Sequence, residues 1–150
     1  MIEDDLIALS SARALLKGAM SAARTTLKVM LVEDHLAFRQ ALTFLLSDDP
    51  QLEVVAQAGS LAEVRGALAA GGPDRRLDVA VLDLALPDGD GRELIGELRR
   101  QSPGVRIVVL SATVWAADVE EVLGAGADAV LDKVTSYRTI SEEVRRLAGR

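Results

Sequence analysis

Cysteine is absent from the 150-residue chain. That excludes a disulfide framework, a zinc-thiolate site and a thiol nucleophile, and nothing points to an oxidising compartment. Long apolar runs are missing too, for none approaches the roughly 20 residues of a membrane-spanning helix. Met1–Asp5 carries acids at positions 3, 4 and 5 where a secretory signal would be basic. A cytoplasmic protein with no membrane partner is therefore expected. Basic residues are in deficit: 17 Lys and Arg stand against 23 Asp and Glu, a net charge of −6. Gripping a phosphate backbone takes a basic face that releases counterions, so no direct nucleic-acid binding by this chain is expected. Imidazole is limited to His35, whose expected place is the loop entering the first helix, with a structural role.

What is present is the composition of a folded domain, 49% apolar and 27% charged. The length suits one domain plus a short extension. Residues 1–26 read as an N-terminal extension, helical or disordered, with Ile2, Leu6, Leu9, Leu16 and Met20 spaced for one helix face. It is read as a loose tail, as a helix that docks or pairs two copies, or, with Met20 as the natural start, as a short disordered leader over Met20–Thr26. The folded domain is placed at 27–148.

From Leu27 short β-rich runs alternate with helical periodicity. The strands are Leu27–Val32, Glu53–Ala58, Leu77–Asp83, Val105–Leu110 and Asp128–Leu131. The first helix is given the inward face Leu36, Ala41, Leu42, Leu45 and Leu46, and ends at Asp48-Asp49-Pro50 because proline cannot continue it. Ser60 and Glu63 form a capping box for the second helix, with Leu61, Val64, Ala67 and Leu68 inward and Gly71-Gly72-Pro73 as its stop. Helices are predicted near Gly91–Gln101 and Ala116–Ala125, and a last one near Ser136–Ala148 with Ile140, Val144 and Leu147 inward. Five strands alternating with five helices predict a doubly wound α/β domain with a parallel sheet.

In such a sheet the carboxyl ends of the strands share one edge, and ligands bind where the strand order reverses. Glu33-Asp34, Asp83, Ser111 and Lys133 all follow strand ends. Three carboxylates at about 4 Å repel by roughly 4 kcal/mol per pair at an effective dielectric of 20, so they need a counterion. A magnesium ion and Lys133 both answer that need, since Mg²⁺ prefers hard oxygen ligands. A carboxylate beside two cations can attack a phosphoryl donor, and Ser111 can donate a hydrogen bond to the product.

Five segments resemble one family, the receiver domains of two-component response regulators. Val29–His35 is similar to its first strand and acidic pair, and Val81–Gly91 to its phosphoacceptor segment. Ile107–Ala112 resembles the strand ending in a hydroxyl residue then alanine, and Leu131-Asp132-Lys133 the strand carrying the lysine. Glu33–Leu42 is most similar to receivers of the NarL/FixJ/LuxR type, which precede a helix-turn-helix. The chain stops soon after the fifth helix, so it is expected either to be cut short or to act alone.

The resemblance implies a flavodoxin-like and CheY-like (βα)5 fold with strand order 2-1-3-4-5. It implies that Asp83 accepts a phosphoryl group from the phosphohistidine of a sensor histidine kinase. Asp34 and Asp83 would hold Mg²⁺ or Mn²⁺ directly, Glu33 largely through water, and the Ala85 carbonyl would complete the protein ligands. Lys133 would pair with the phosphoryl group, and Ser111 would move toward it and switch the conformation that controls an output. Transcription is the expected output of a full-length protein, with a homodimer as one route. No enzyme is implied beyond the chain's own phosphorylation and dephosphorylation.

Two positions depart from the family pattern. Val130 stands where an aromatic is usual, three residues before the lysine, and Val134 where a proline often follows it. Val130 motivates an alternative, a pseudo-receiver that binds its partner without phosphate. A haloacid dehalogenase-like phosphohydrolase is weighed and set aside, because its second aspartate would fall at Ala85. Competing structural roles are helix capping for Glu33-Asp34, loop capping for Asp83, a surface ammonium for Lys133 and a backbone hydrogen bond for Ser111. Trp115 is expected near the start of the fourth helix, at a partner surface or against the sheet. Asp118, Glu120 and Glu121 read as a solvated face.

Overall fold

A computed structural model of the chain describes residues 26–71, 76–112 and 116–149. The readings made for residues 1–25, for Gly72-Pro73 and for Trp115 lie outside them. Strands β1 (Leu27–Val32), β2 (Leu52–Ala58), β3 (Val79–Asp83), β4 (Arg106–Ser111) and β5 (Ala129–Asp132) alternate with five helices. These are α1 (Leu36–Ser47), α2 (Leu61–Gly71), α3 (Arg92–Gln101), α4 (Ala116–Gly124) and α5 (Tyr137–Ala148). The strands form one parallel sheet in the order β2-β1-β3-β4-β5, the expected topology. The first crossover steps outward from β1 and the second returns past it, so the order reverses between β1 and β3. That is where a crevice opens at the carboxyl edge.

Alternation along the strands divides the core between two faces. Val29, Leu31, Val79, Val81, Val108 and Leu110 pack with Leu42 and Leu46 of α1 and with Ile140, Val144 and Leu147 of α5. Met30, Val32, Ala80, Leu82, Ile107 and Val109 pack on the other side with α2, α3 and α4 through Leu61, Val64, Leu94, Ile95, Leu98 and Val122. β3 is buried at every position, as a central strand covered on both faces must be.

Leu36 differs from its expected place, because it is exposed and Phe38 packs inward instead. At about 100° per residue Leu36 lies about 240° from Leu42, whereas Phe38 lies a turn away on the same face. The capping box forms with one change of partner. Ser60 Oγ accepts from the Glu63 N–H at 3.1 Å, while the Glu63 carboxylate accepts from the N–H of Gly59, one residue before the cap.

Candidate functional site: an acidic crevice with one ammonium

β1 and β3 pair in register through Val32 and Leu82, which brings the residues that follow them side by side. One carboxylate oxygen from each of Glu33, Asp34 and Asp83 falls within 4.8 Å of the others. Glu33 is 0% exposed and Asp83 4%, whereas Asp34 faces solvent. The backbone explains the placement of Glu33. Its N–H donates to the Ala58 carbonyl at the end of β2, and its carbonyl accepts from Arg39 Nη1 at 2.9 Å.

Lys133 arrives from the far end of the sheet. Its N–H donates to the Ser111 carbonyl at 2.9 Å, extending the β4–β5 pairing in which Ser111 lies opposite Asp132. Its ammonium then donates to Glu33 Oε1 at 2.9 Å and to Asp83 Oδ2 at 3.0 Å. The expected counterion is thus in place, and Glu33 and Lys133 meet across 100 residues of sequence.

The electrostatics remain unbalanced. Three carboxylates against one ammonium leave a formal excess of two negative charges. Burial raises the Glu33 carboxyl above the ordinary glutamate range, and hydrogen bonds from Lys133 and the His35 N–H do not cancel it, while Asp83 adds repulsion. Burial alone would lower the Lys133 ammonium, but its bonds to Glu33 and Asp83 outweigh that and raise it. Glu33 Oε2 is buried and has no hydrogen-bond partner. A buried charged oxygen without a partner is costly. The donor set of hard oxygens, the charge excess and this orphaned atom fit a divalent cation such as Mg²⁺.

His35 is the N-cap of α1. Its Nδ1 accepts from the Phe38 N–H at 3.2 Å and its own N–H donates to Glu33 Oε1 at 3.1 Å. Capping therefore falls to His35 rather than to the Glu33-Asp34 pair. Of the acidic run on α4, Glu120 and Glu121 are exposed, and Glu121 forms an ion pair with Arg92. Val130 is partly buried against the α2–α4 side of the core.

The loop after Asp83 is held by its own hydrogen bonds. Ala85–Leu86 pairs with Gly89–Asp90 in a short antiparallel ladder, and the Ala85 N–H donates to Asp83 Oδ1 at 3.1 Å. Gly91 closes the loop through its N–H to the Leu84 carbonyl at 2.8 Å. A Cβ at Gly91 would lie 2.6 Å from the Asp83 carbonyl oxygen and 2.9 Å from Leu84 Cα. These are backbone atoms that cannot swing aside. Gly91→Ala is therefore expected to destabilise the fold by about 1–3 kcal/mol in denaturant unfolding. An unchanged unfolding midpoint would contradict that close approach.

Sequence reasoning missed Asp88. Its two carboxylate oxygens accept from the N–H groups of Leu61 at 2.8 Å and Ala62 at 3.0 Å, so the loop after β3 caps α2. No local pattern tells which helix 27 residues away the carboxylate will reach. The Leu61 N–H, then that of Ala62, lowers the Asp88 carboxyl below its usual value. Its stabilising contribution is present above the unfolded value of about 3.9 and is lost as pH falls through the lower folded value. Asp88→Ala should lower the thermal midpoint at pH 7, and its gap to wild type should close as pH falls below about 4. A gap that is constant with pH would refute the cap.

Comparison with known proteins agrees with this geometry. The chain is 38% identical over 124 residues to the DNA-binding transcriptional activator DevR/DosR of Mycobacterium tuberculosis, covering 82% of this chain and 55% of that one. It is 38% identical over 120 residues to the transcriptional regulatory protein UhpA of Salmonella typhimurium, covering 80% and 58%. The chain thus spans little more than half the length of these relatives. Among solved structures, the signal receiver domain of the response regulator NarL from Mycobacterium tuberculosis superposes with a TM-score of 0.72 at 28% identity, covering 83% of this chain and 97% of that one. The model of the response regulator receiver domain matches residues 29–145, from the third residue of β1 into the last helix, and this chain belongs to that family.

Proposed function

We propose that this domain is a phosphoacceptor switch in which Asp83 takes a phosphoryl group from the phosphohistidine of a sensor kinase. The observation that supports it most is the crevice itself: Asp83 is nearly buried, bonded to Lys133 and flanked by Glu33 and Asp34. In the reaction an Asp83 carboxylate oxygen forms a P–O bond as the donor's P–N bond breaks, and the imidazole leaves with a proton. Such transfer asks the protein mainly to position groups and to offset charge. Lys133 supplies one positive charge at Asp83, and the Ala85 N–H orients the carboxylate.

Glu33, Asp34, Asp83 and the Ala85 carbonyl are the residues that would hold Mg²⁺, or Mn²⁺ in its place. Bound there, the cation would offset charge on the phosphoryl oxygens. Ser111, whose carbonyl is tied to Lys133, is the hydroxyl that would turn toward the new group. Turnover on an external substrate is not part of this reading. The output in a full-length protein would be transcription, in keeping with the regulators it is similar to, and the chain would act in the cytoplasm. No helix among the described residues is long and apolar enough to cross a membrane.

The test is transfer from a kinase phosphotransfer domain carrying labelled phosphohistidine. Label should move to this chain in a base-labile form, as an acyl phosphate requires. Label that stays on the histidine domain of every kinase offered would overturn the reading. A second reading rests on Val130: a partner bound without phosphate predicts that Asp83→Asn leaves partner binding intact.

A further inference from the structure

We propose that Phe38 is a positioning residue for Lys133, and that through Tyr137 it carries the state of Asp83 to the start of α5. The rate effect and the Tyr137 link rest on the phosphoacceptor reading, while the placement of the ammonium does not. The Lys133 ammonium lies 5.1 Å from the centroid of the Phe38 ring while donating to Glu33 and Asp83. Two of its three N–H groups serve carboxylates, and an aromatic ring within about 6 Å attracts the cation through its quadrupole. The ring thereby limits where the ammonium can stand. A lysine has a long, flexible stem, so restricting it matters to a transfer that depends on placement.

The ring is itself held. Phe38 packs with the α1–α5 side of the core, and its centroid is 5.5 Å from that of Tyr137 at an interplanar angle of 48°. Tyr137 is the first residue of α5, four residues beyond Lys133, and is 38% exposed. Val130, on the opposite side of the sheet, offers no ring. Among the described residues the aromatic contact runs from Lys133 through Phe38 to Tyr137, toward the α1–α5 side. A phosphoryl group on Asp83 adds charge and bulk beside the ammonium. Lys133 then moves relative to the ring, and Tyr137 is the neighbour that must adjust.

Nuclear magnetic resonance on the whole chain tests both halves. Lysine occurs only at Lys17, Lys28 and Lys133, and Tyr137 is the single tyrosine, so labelled lysine gives three side-chain signals and fluorotyrosine gives one. Before any donor is added, ring current should shift the Lys133 side-chain signals upfield. Phe38→Leu and Phe38→Met should abolish that shift, and Phe38→Tyr should restore it. The rate of adduct formation with acetyl phosphate and Mg²⁺ should fall about five-fold in the first two variants and recover in Phe38→Tyr, in keeping with the size of a partly exposed cation–π contact. Beryllofluoride with Mg²⁺ should move the fluorotyrosine signal in wild type and not in Phe38→Leu.

Unshifted Lys133 signals in wild type, or variants with wild-type rates, would overturn the positioning role. A fluorotyrosine signal that moves equally in Phe38→Leu would overturn the Tyr137 link. Shifted Lys133 signals in a wild-type protein that takes no phosphoryl group would uphold the positioning and refute the phosphoacceptor reading instead.

Discussion

Asp83→Asn is expected to abolish phosphoryl transfer and to leave the protein folded. The amide has the shape of the carboxylate and keeps an oxygen that can accept from the Ala85 N–H, now at 3.1 Å. It lacks the anionic oxygen that would form the P–O bond. With that oxygen kept, the amide nitrogen takes the place of Oδ2 and the bond from Lys133 at 3.0 Å is lost, while the repulsion that Asp83 exerts on the buried Glu33 is removed too. These effects oppose each other, so the unfolding free energy should change by no more than about 1 kcal/mol. Denaturant unfolding and transfer, measured on one preparation, separate lost chemistry from lost structure. A phosphoryl adduct on Asp83→Asn would show that the acceptor lies elsewhere.

Lys133→Met carries the other large effect. The side chain keeps its volume and loses its charge, leaving Glu33 at 0% exposure without its ammonium. Removing one member of a fully buried pair costs about 3–5 kcal/mol. Lys133 retains 20% exposure, so a loss of about 2 kcal/mol is expected in metal-free buffer. The penalty arises from uncompensated carboxylates, so Glu33→Gln added to Lys133→Met should recover part of it. Non-additivity in that double-mutant cycle is the signature of a direct pair. Strict additivity would mean that the contact contributes nothing in solution. Phosphorylation of Lys133→Met should also slow, because one of the charges that offsets the phosphoryl oxygens is gone.

The fold was legible because its signals are local and repeated. Strand ends fell within one or two residues of their expected positions for β1, β2, β4 and β5. The inward residues Ile140, Val144 and Leu147 of α5 are buried as their spacing required. Convergence of Glu33, Asp83 and Lys133 followed from a rule about parallel sheets and needed no knowledge of the distances. Leu36 was misplaced because hydrophobicity was given more weight than helical phase. Measured from Leu42, phase alone would have exchanged it for Phe38.

Other parts of the site were not legible. The Asp88 cap joins two loops whose proximity exists only after the sheet has formed. The contact of Lys133 with Phe38 depends on the ring turning inward at the first turn of α1, near a strand end more than ninety residues away. His35 illustrates the converse. As the only histidine it was expected at the entry to the first helix in a structural role, and there its Nδ1 serves the backbone N–H of Phe38.

The most direct test of the central claim is the intact mass of the wild-type chain after incubation with acetyl phosphate, with Mg²⁺ present or chelated, beside Asp83→Asn. The account predicts one added phosphoryl group on wild type with Mg²⁺, and none in the other two samples. No adduct on wild type, or an equal adduct on Asp83→Asn, would contradict it.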